Sequence, residues 1–110
     1  MNAHDPIPPG TLDMLVLSTL ARLGERHGFE IAEAIEAASA DVLRVEEGSL
    51  YPALQRMLIR GWVTASWGRT AENRRARYYR LTALGRRQLD KELTAYRRVA
   101  SALDHLLNLT

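Results

Sequence analysis

The chain of 110 residues contains no cysteine. Disulfides and thiolate metal sites are therefore excluded, and a reducing, cytoplasmic setting is compatible with the sequence. It contains no run of about 18 apolar residues, the length a membrane-crossing helix needs. No basic segment followed by an apolar stretch opens the chain, so no secretory signal is expected. Its three histidines, His4, His27 and His105, are far apart and lack the i, i+4 spacing that would place two metal ligands on one helix face. There is no glycine-rich phosphate loop. Glu46 and Glu47 point to different sides of any regular element, and Ser49 has no histidine near it in sequence. An enzyme, a metal site and a cofactor are not expected.

What is present is ordinary globular material, 46% hydrophobic and 25% charged, of a length that suits one domain. The core must be small, so burial against a second copy would add to it. The net charge is only +2, but it is unevenly placed. Residues 1–68 hold five Lys and Arg against nine Asp and Glu, and residues 69–98 hold ten against three. A basic rear concentrates positive field where it can meet phosphate, although a solvated basic surface has the same composition.

The first nine residues, with Pro6, Pro8 and Pro9, read as a flexible arm; residues 10–82 read as the globular unit and 83–110 as a terminal helix. Thr11 is placed as the N-cap of a first helix, with Asp13 in its first turn and Gly24 ending it. Leu12, Leu15, Val16, Leu20 and Leu23 form its stripe, widened by Met14 and Leu17. Gly28 precedes a second helix with Phe29, Ile31, Ala32, Ile35 and Ala38 inward and Glu30, Glu33 and Glu36 outward. Val42–Val45 is short and β-prone, suited to pairing with the hairpin that follows.

Ser49 is placed as the N-cap of a third helix, Pro52 in its first turn and Gly61 just past its end. Leu50, Leu54, Met57 and Leu58 make the inward stripe. Trp62–Trp67 alternates like a half-exposed strand, Gly68–Ala76 is an arginine-rich turn, and Arg77–Leu81 is the return strand. Thr82 caps the last helix, on which Leu89, Leu93, Tyr96, Ala100, Leu103 and Leu107 repeat at coiled-coil a/d spacing. That seam predicts a partner, either the first helix of the same chain or the same helix of another subunit. The fold class expected is mainly α with a small β-hairpin: a winged helix-turn-helix plus a C-terminal dimerisation helix.

A short helix followed by a basic hairpin suits DNA, where phosphate contacts set position and base-edge contacts specify sequence. Ser49 and Tyr51 are able to donate to phosphate. Gln55 suits adenine, Arg56 suits guanine, and Pro52 or Ala53 suits a thymine methyl. Each also has a plain reading: Ser49 as a cap, Tyr51 packed on Trp62, Pro52 as a helix start, Gln55 and Arg56 as solvated surface. Arg69, Arg74, Arg75 and Arg77 form a cationic hairpin tip, which serves equally as a solubilising loop. Arg80 is within sequence reach of Glu46 or Glu47 as an ion-pair partner. Arg86, Arg87, Arg97 and Arg98 read as the solvated face of the last helix.

Several segments together resemble the PadR family of transcriptional regulators, short class. They are Gly10-Thr11-Leu12, His27-Gly28-Phe29-Glu30-Ile31, Glu47-Gly48-Ser49-Leu50-Tyr51-Pro52-Ala53-Leu54, Leu58-x-x-Gly61-Trp62-Val63, and Arg75-x-Arg77-Tyr78-Tyr79-x-Leu81-Thr82-x-x-Gly85. The resemblance spans about residues 10–107. It implies a winged-helix homodimer on palindromic double-stranded operator DNA, usually a repressor, with the last helix as the dimer arm. It implies DNA contacts at Ser49, Tyr51, Pro52, Arg74, Arg75 and Arg77, and release by a small aromatic or amphipathic effector. Tyr96 is the candidate to line the effector site or, equally, a core residue. Phe29 stands where family members commonly carry Tyr, and the lost hydroxyl is expected to affect packing rather than DNA. Two other readings stay open: a protein-interaction winged helix whose basic wing meets an acidic partner, and a small-molecule carrier without DNA binding.

Overall fold

The computed structural model describes residues 5–109. Residues 1–4 of the expected arm, including His4, and Thr110 lie outside the described residues. The elements are β1 (Asp5–Pro6), α1 (Leu12–Leu23), β2 (Arg26–His27), α2 (Gly28–Ala38), β3 (Leu43–Arg44), α3 (Glu47–Ile59), β4 (Val63–Arg69), β5 (Arg75–Leu81) and α4 (Ala83–Leu106). The larger sheet is antiparallel, in the order β2-β5-β4; β1 and β3 form a separate parallel pair. This arrangement of four helices and a small antiparallel sheet is the winged-helix fold.

The short strands depart from the sequence expectation. Leu43–Arg44 does not join the hairpin but pairs with Asp5–Pro6. The third strand of the larger sheet is Arg26–His27, whose two residues oppose Tyr79 and Tyr78. The β-prone character of Val42–Val45 announced the first of these segments but not its partner, and nothing in the sequence announced Arg26–His27, which long-range pairing made a strand.

Helix ends explain much of the chain's course. Thr11 occupies the N-cap position of α1, but its hydroxyl donates to the Pro8 carbonyl at 2.7 Å, not to the helix. Helix α2 starts with a capping box that the sequence reading missed. His27 Nδ1 accepts from the Glu30 N–H at 3.4 Å, and the His27 N–H donates to Glu30 Oε1 at 3.1 Å. Helix α3 begins three residues earlier than expected, with Glu46 rather than Ser49 as N-cap and no side-chain cap bond. The Glu46 carbonyl accepts from both Ser49 and Leu50. Pro52 consequently lies inside the helix, beyond its first turn. Its absent N–H leaves the carbonyl of Gly48, an exposed residue, open to solvent. At the far end Gly61 adopts φ +76, and Trp62 N–H donates to Met57 O at 2.9 Å, a Schellman closure that turns the chain into β4.

The core is built from Met14, Val16, Leu17 and Leu20 of α1, Ile31 and Ile35 of α2, and Leu50, Ala53, Leu54 and Met57 of α3, closed by Val63, Tyr79 and Leu89. Full burial of each large aliphatic side chain contributes about 1.5–3 kcal/mol. In α1 Val16 and Leu20 are buried together with Met14 and Leu17, which widen the apolar face as expected, and Leu23 alone of the predicted stripe is exposed. Phe29, expected inward, is 62% exposed. Thr82 Oγ1 accepts from Gly85 N–H at 3.0 Å and caps α4 as predicted. Among the described residues no helix is long and apolar enough to cross a membrane.

Candidate nucleic-acid interface

Helix α3 buries one side in the core and leaves Ser49, Tyr51, Pro52 and Gln55 exposed on the other. Tyr51 does not pack on Trp62. Its ring crosses Gly28, the first residue of α2, so closely that a Cβ there would stand 2.8 Å from the ring. The absence of a side chain at Gly28 thus brings the start of α2 against the outer side of α3. Arg56 departs from the expected free base reader: its Nη2 donates to Asp13 Oδ1 at 3.1 Å and ties α3 to α1.

The hairpin is fully paired, from Val63 opposite Leu81 to Arg69 opposite Arg75. Its turn, residues 70–74, is shorter than the predicted Gly68–Ala76. Thr70 N–H donates to Arg74 O at 2.8 Å, which leaves a loop of residues 71–73; within it Asn73 N–H donates to Thr70 O at 2.9 Å and Asn73 takes φ +62. Strand alternation places Val63, Ala65, Trp67 and Arg69 on one face with Leu81, Tyr79, Arg77 and Arg75. At the base this face is apolar and packs into the core; at the tip it carries arginines.

Those arginines are not equivalent. Arg69 Nη1 donates to Asn73 O at 3.2 Å and belongs to the turn. Arg75 and Arg77 lie against the indole of Trp67, with Cζ 4.3 Å and 5.9 Å from the ring centroid. Arg74 is exposed at the end of the turn. Among the described residues no carboxylate lies within ion-pair distance of Arg74, Arg75 or Arg77. Arg80, on the opposite face, pairs with Glu25 at 3.8 Å and not with Glu46 or Glu47.

The start of α2, Tyr51 of α3 and the hairpin, with Glu72 in its turn, line an open groove of about 730 Å³; Ser49, Pro52 and Gln55 are not among its lining residues. Phe29, Tyr51, Trp67 and Tyr79 give it aromatic walls, and Arg74, Arg75 and Arg77 supply its positive charge. Burial pushes the Tyr79 phenol above its ordinary pKa; nearby Arg77 opposes this and Tyr51 adds to it. The groove thus gathers Tyr51 and three of the four predicted wing arginines, while Arg56 and Arg69 are engaged with protein acceptors. Trp67 and Phe29 were missed by sequence reasoning. The period-two alternation already put Trp67 in step with Arg69; nothing in the sequence signalled that Phe29 faces outward.

Helix α4 divides in two. Leu89 is buried and Leu93 packs against the core. Beyond them Tyr96, Leu103 and Leu107 are about half exposed or more, joined by Val99 and Leu106; Ala100 is half-buried. Tyr96 is therefore not a core residue of this chain. Among the described residues no group of three or more His, Asp or Glu is arranged to hold a metal.

The sequence profile described as the transcriptional regulator PadR-like family matches residues 16–91. The chain belongs to this family. It is a PadR-like transcriptional regulator and not an enzyme. A PadR family transcription regulator from Clostridium difficile is 25% identical and superposes with a TM-score of 0.74, over 89% of this chain and 99% of that one. A PadR family transcriptional regulator from Eggerthella lenta is 26% identical, with a TM-score of 0.75 over 92% and 85% of the two chains. A transcriptional regulator from Clostridium thermocellum has a TM-score of 0.79 over 87% and 92%, and at 24% identity bears on the fold alone. In sequence, a Lysinibacillus sphaericus protein described as uncharacterized is 26% identical over 95 residues, 86% of each chain.

Proposed function

We propose that this PadR-like regulator is a homodimeric, cytoplasmic repressor that binds double-stranded operator DNA and is released by a small aromatic or amphipathic effector. The observation that carries the reading is the groove itself. Tyr51, on the exposed side of α3, shares this groove with three arginines that have no carboxylate partner among the described residues, so a phosphate backbone entering it displaces no ion pair of theirs. In this reading Gln55, with Ser49, Tyr51 and Pro52, faces the major groove, and Arg74, Arg75 and Arg77 meet the adjacent backbone. Arg56 takes part only if it leaves Asp13. Arg69 shapes the wing.

The dimer arm is supported by the outer half of α4, where Tyr96, Val99, Leu103, Leu106 and Leu107 are about half exposed or more among the described residues. The same helix of a second subunit supplies matching cover. Two reading heads then address half-sites about 34 Å apart, one turn of the duplex. Tyr96, in that shared surface, is the candidate to line an effector site.

Selection of bound sequences from a random DNA pool, with light scattering of the free protein, tests this reading. Enrichment of a palindrome and a mass of two chains are expected. Gln55→Ala should relax the preference at one position of each half-site by about 1–3 kcal/mol. A monomer with no enriched sequence would overturn the proposal.

A further inference from the structure

The arginines of α3 and the hairpin are held in different ways. Arg56 and Arg69 donate to oxygens, Asp13 Oδ1 at 3.1 Å and Asn73 O at 3.2 Å, and Arg80 forms an ion pair with Glu25 at 3.8 Å. Arg75 and Arg77 are held by a ring face, 4.3 Å and 5.9 Å above Trp67. The difference is chemical. A guanidinium carries its five donors around the edge of a plane. An oxygen acceptor occupies part of that edge, whereas an aromatic face occupies none of it. A stacked guanidinium is oriented and still has its whole edge available to phosphate.

Trp67 is otherwise hard to account for. It is 60% exposed, so core packing does not explain a large indole there. It stands directly opposite Arg77 in the ladder and one same-face step from Arg75, which opposes Arg69. Among aromatic side chains indole is also the best cation-binding face.

We propose that Trp67 is a positioning residue for DNA binding: its indole is the platform that orients Arg75 and Arg77 toward the phosphodiester backbone before the encounter. Two long side chains then lose less conformational freedom on binding. The role rests on the DNA-binding reading above, and Trp67 exerts it through the two guanidiniums.

The test compares wild type, Trp67→Ala, Trp67→Phe and the double variant Arg75→Ala, Arg77→Ala on the selected operator across a salt series. Trp67→Ala should bind roughly tenfold more weakly, about the cost of ordering two long side chains on binding. Its salt slope should stay at the wild-type value, because both cations remain. Trp67→Phe should recover most of the affinity, since a ring face remains. The double arginine variant should instead flatten the slope by about 0.9 per lost phosphate contact. In the free protein, the Arg75 side-chain protons should be shifted upfield by the ring in wild type and Trp67→Phe, but not in Trp67→Ala. Melting temperatures of all four, expected to agree, control for folding.

Wild-type affinity in Trp67→Ala would overturn the platform while leaving the DNA reading intact. A Trp67→Phe variant as weak as Trp67→Ala would also overturn it, by making the indole itself the DNA contact. Failure of wild type to bind any selected sequence would remove the DNA reading and this role with it.

Discussion

The base and the tip of the β4–β5 hairpin present the same strand face to different surroundings. At the base, Val63 and Tyr79 are buried and the chain turns tightly into α4. At the tip, Trp67, Arg75 and Arg77 occupy equivalent positions in the ladder and stand exposed. One run of paired strand thus supplies the wall of the core and, about four residues further on, the wall of the groove. A hairpin anchored by its own core residues is able to hold charged side chains still without burying them. Stability and binding should therefore separate along its length.

The largest effect should come at the base. Gly85, buried in the first turn of α4, lies so close to the Trp62 carbonyl oxygen that an added Cβ would collide with backbone. Gly85→Ala should destabilise the fold by about 3 kcal/mol, read from denaturant unfolding. The fraction that remains folded should bind operator normally. The comparison breaks if its affinity falls as well.

Changes at the tip should show the opposite pattern. Replacing both Arg75 and Arg77 with Ala should lower affinity for all sequences by roughly tenfold to a hundredfold at moderate salt. The unfolding midpoint should remain within about 0.5 kcal/mol of wild type, as for other exposed substitutions. A loss of stability matching the loss of affinity would show that the tip is structural after all.

Gly28→Ala sharpens the boundary between the two regions. The clash there is with the Tyr51 side chain, which has room to swing outward. The change should cost about 1 kcal/mol or less of stability. It should weaken DNA binding severalfold by displacing Tyr51, and Tyr51→Phe should separate the hydroxyl from the ring.

The smallest effect concerns alkaline pH. The folded pKa of Tyr79 is raised by burial, so its contribution to stability is complete below the unfolded tyrosine value of about 10. That contribution is lost as pH rises through the higher folded value. Tyr79→Phe should flatten this fall in unfolding free energy above about pH 10. An unchanged profile would place Tyr79 in water rather than at the base of the groove.

Much of this architecture was legible in the residues. Apolar periodicity located four helices, because a helix face buried in the core must repeat near 3.6 residues whatever its partner. Gly61 and Thr82 marked an end and a start correctly, since both act on backbone within a few residues. Ser49 misled for a related reason. Serine near a helix start suits several positions, and nothing local revealed that Glu46 takes the cap while Ser49 lies inside the first turn. The pairing of β2 with β5 and of β1 with β3 was not legible, since two-residue strands have no periodicity to detect.

The site followed the same division. The basic character of residues 69–77 is written in the composition, but the fate of each arginine is not. Arg56 and Arg80 meet Asp13 and Glu25, residues 43 and 55 positions away in the chain, and Arg75 meets an indole across a turn. Phe29 fits the apolar stripe of α2 by spacing, yet it faces the groove because α2 begins where α3 crosses it.

By itself, then, the order of residues determined the helices, the charged hairpin and membership of the PadR-like family, all properties carried by local periodicity and short motifs. Tertiary structure alone decided which arginines have no carboxylate beside them among the described residues, which aromatic ring lies against them and which half of α4 is the more exposed. Those outcomes depend on distances between segments remote in sequence, and side-chain chemistry acts only over the few ångströms that folding brings about.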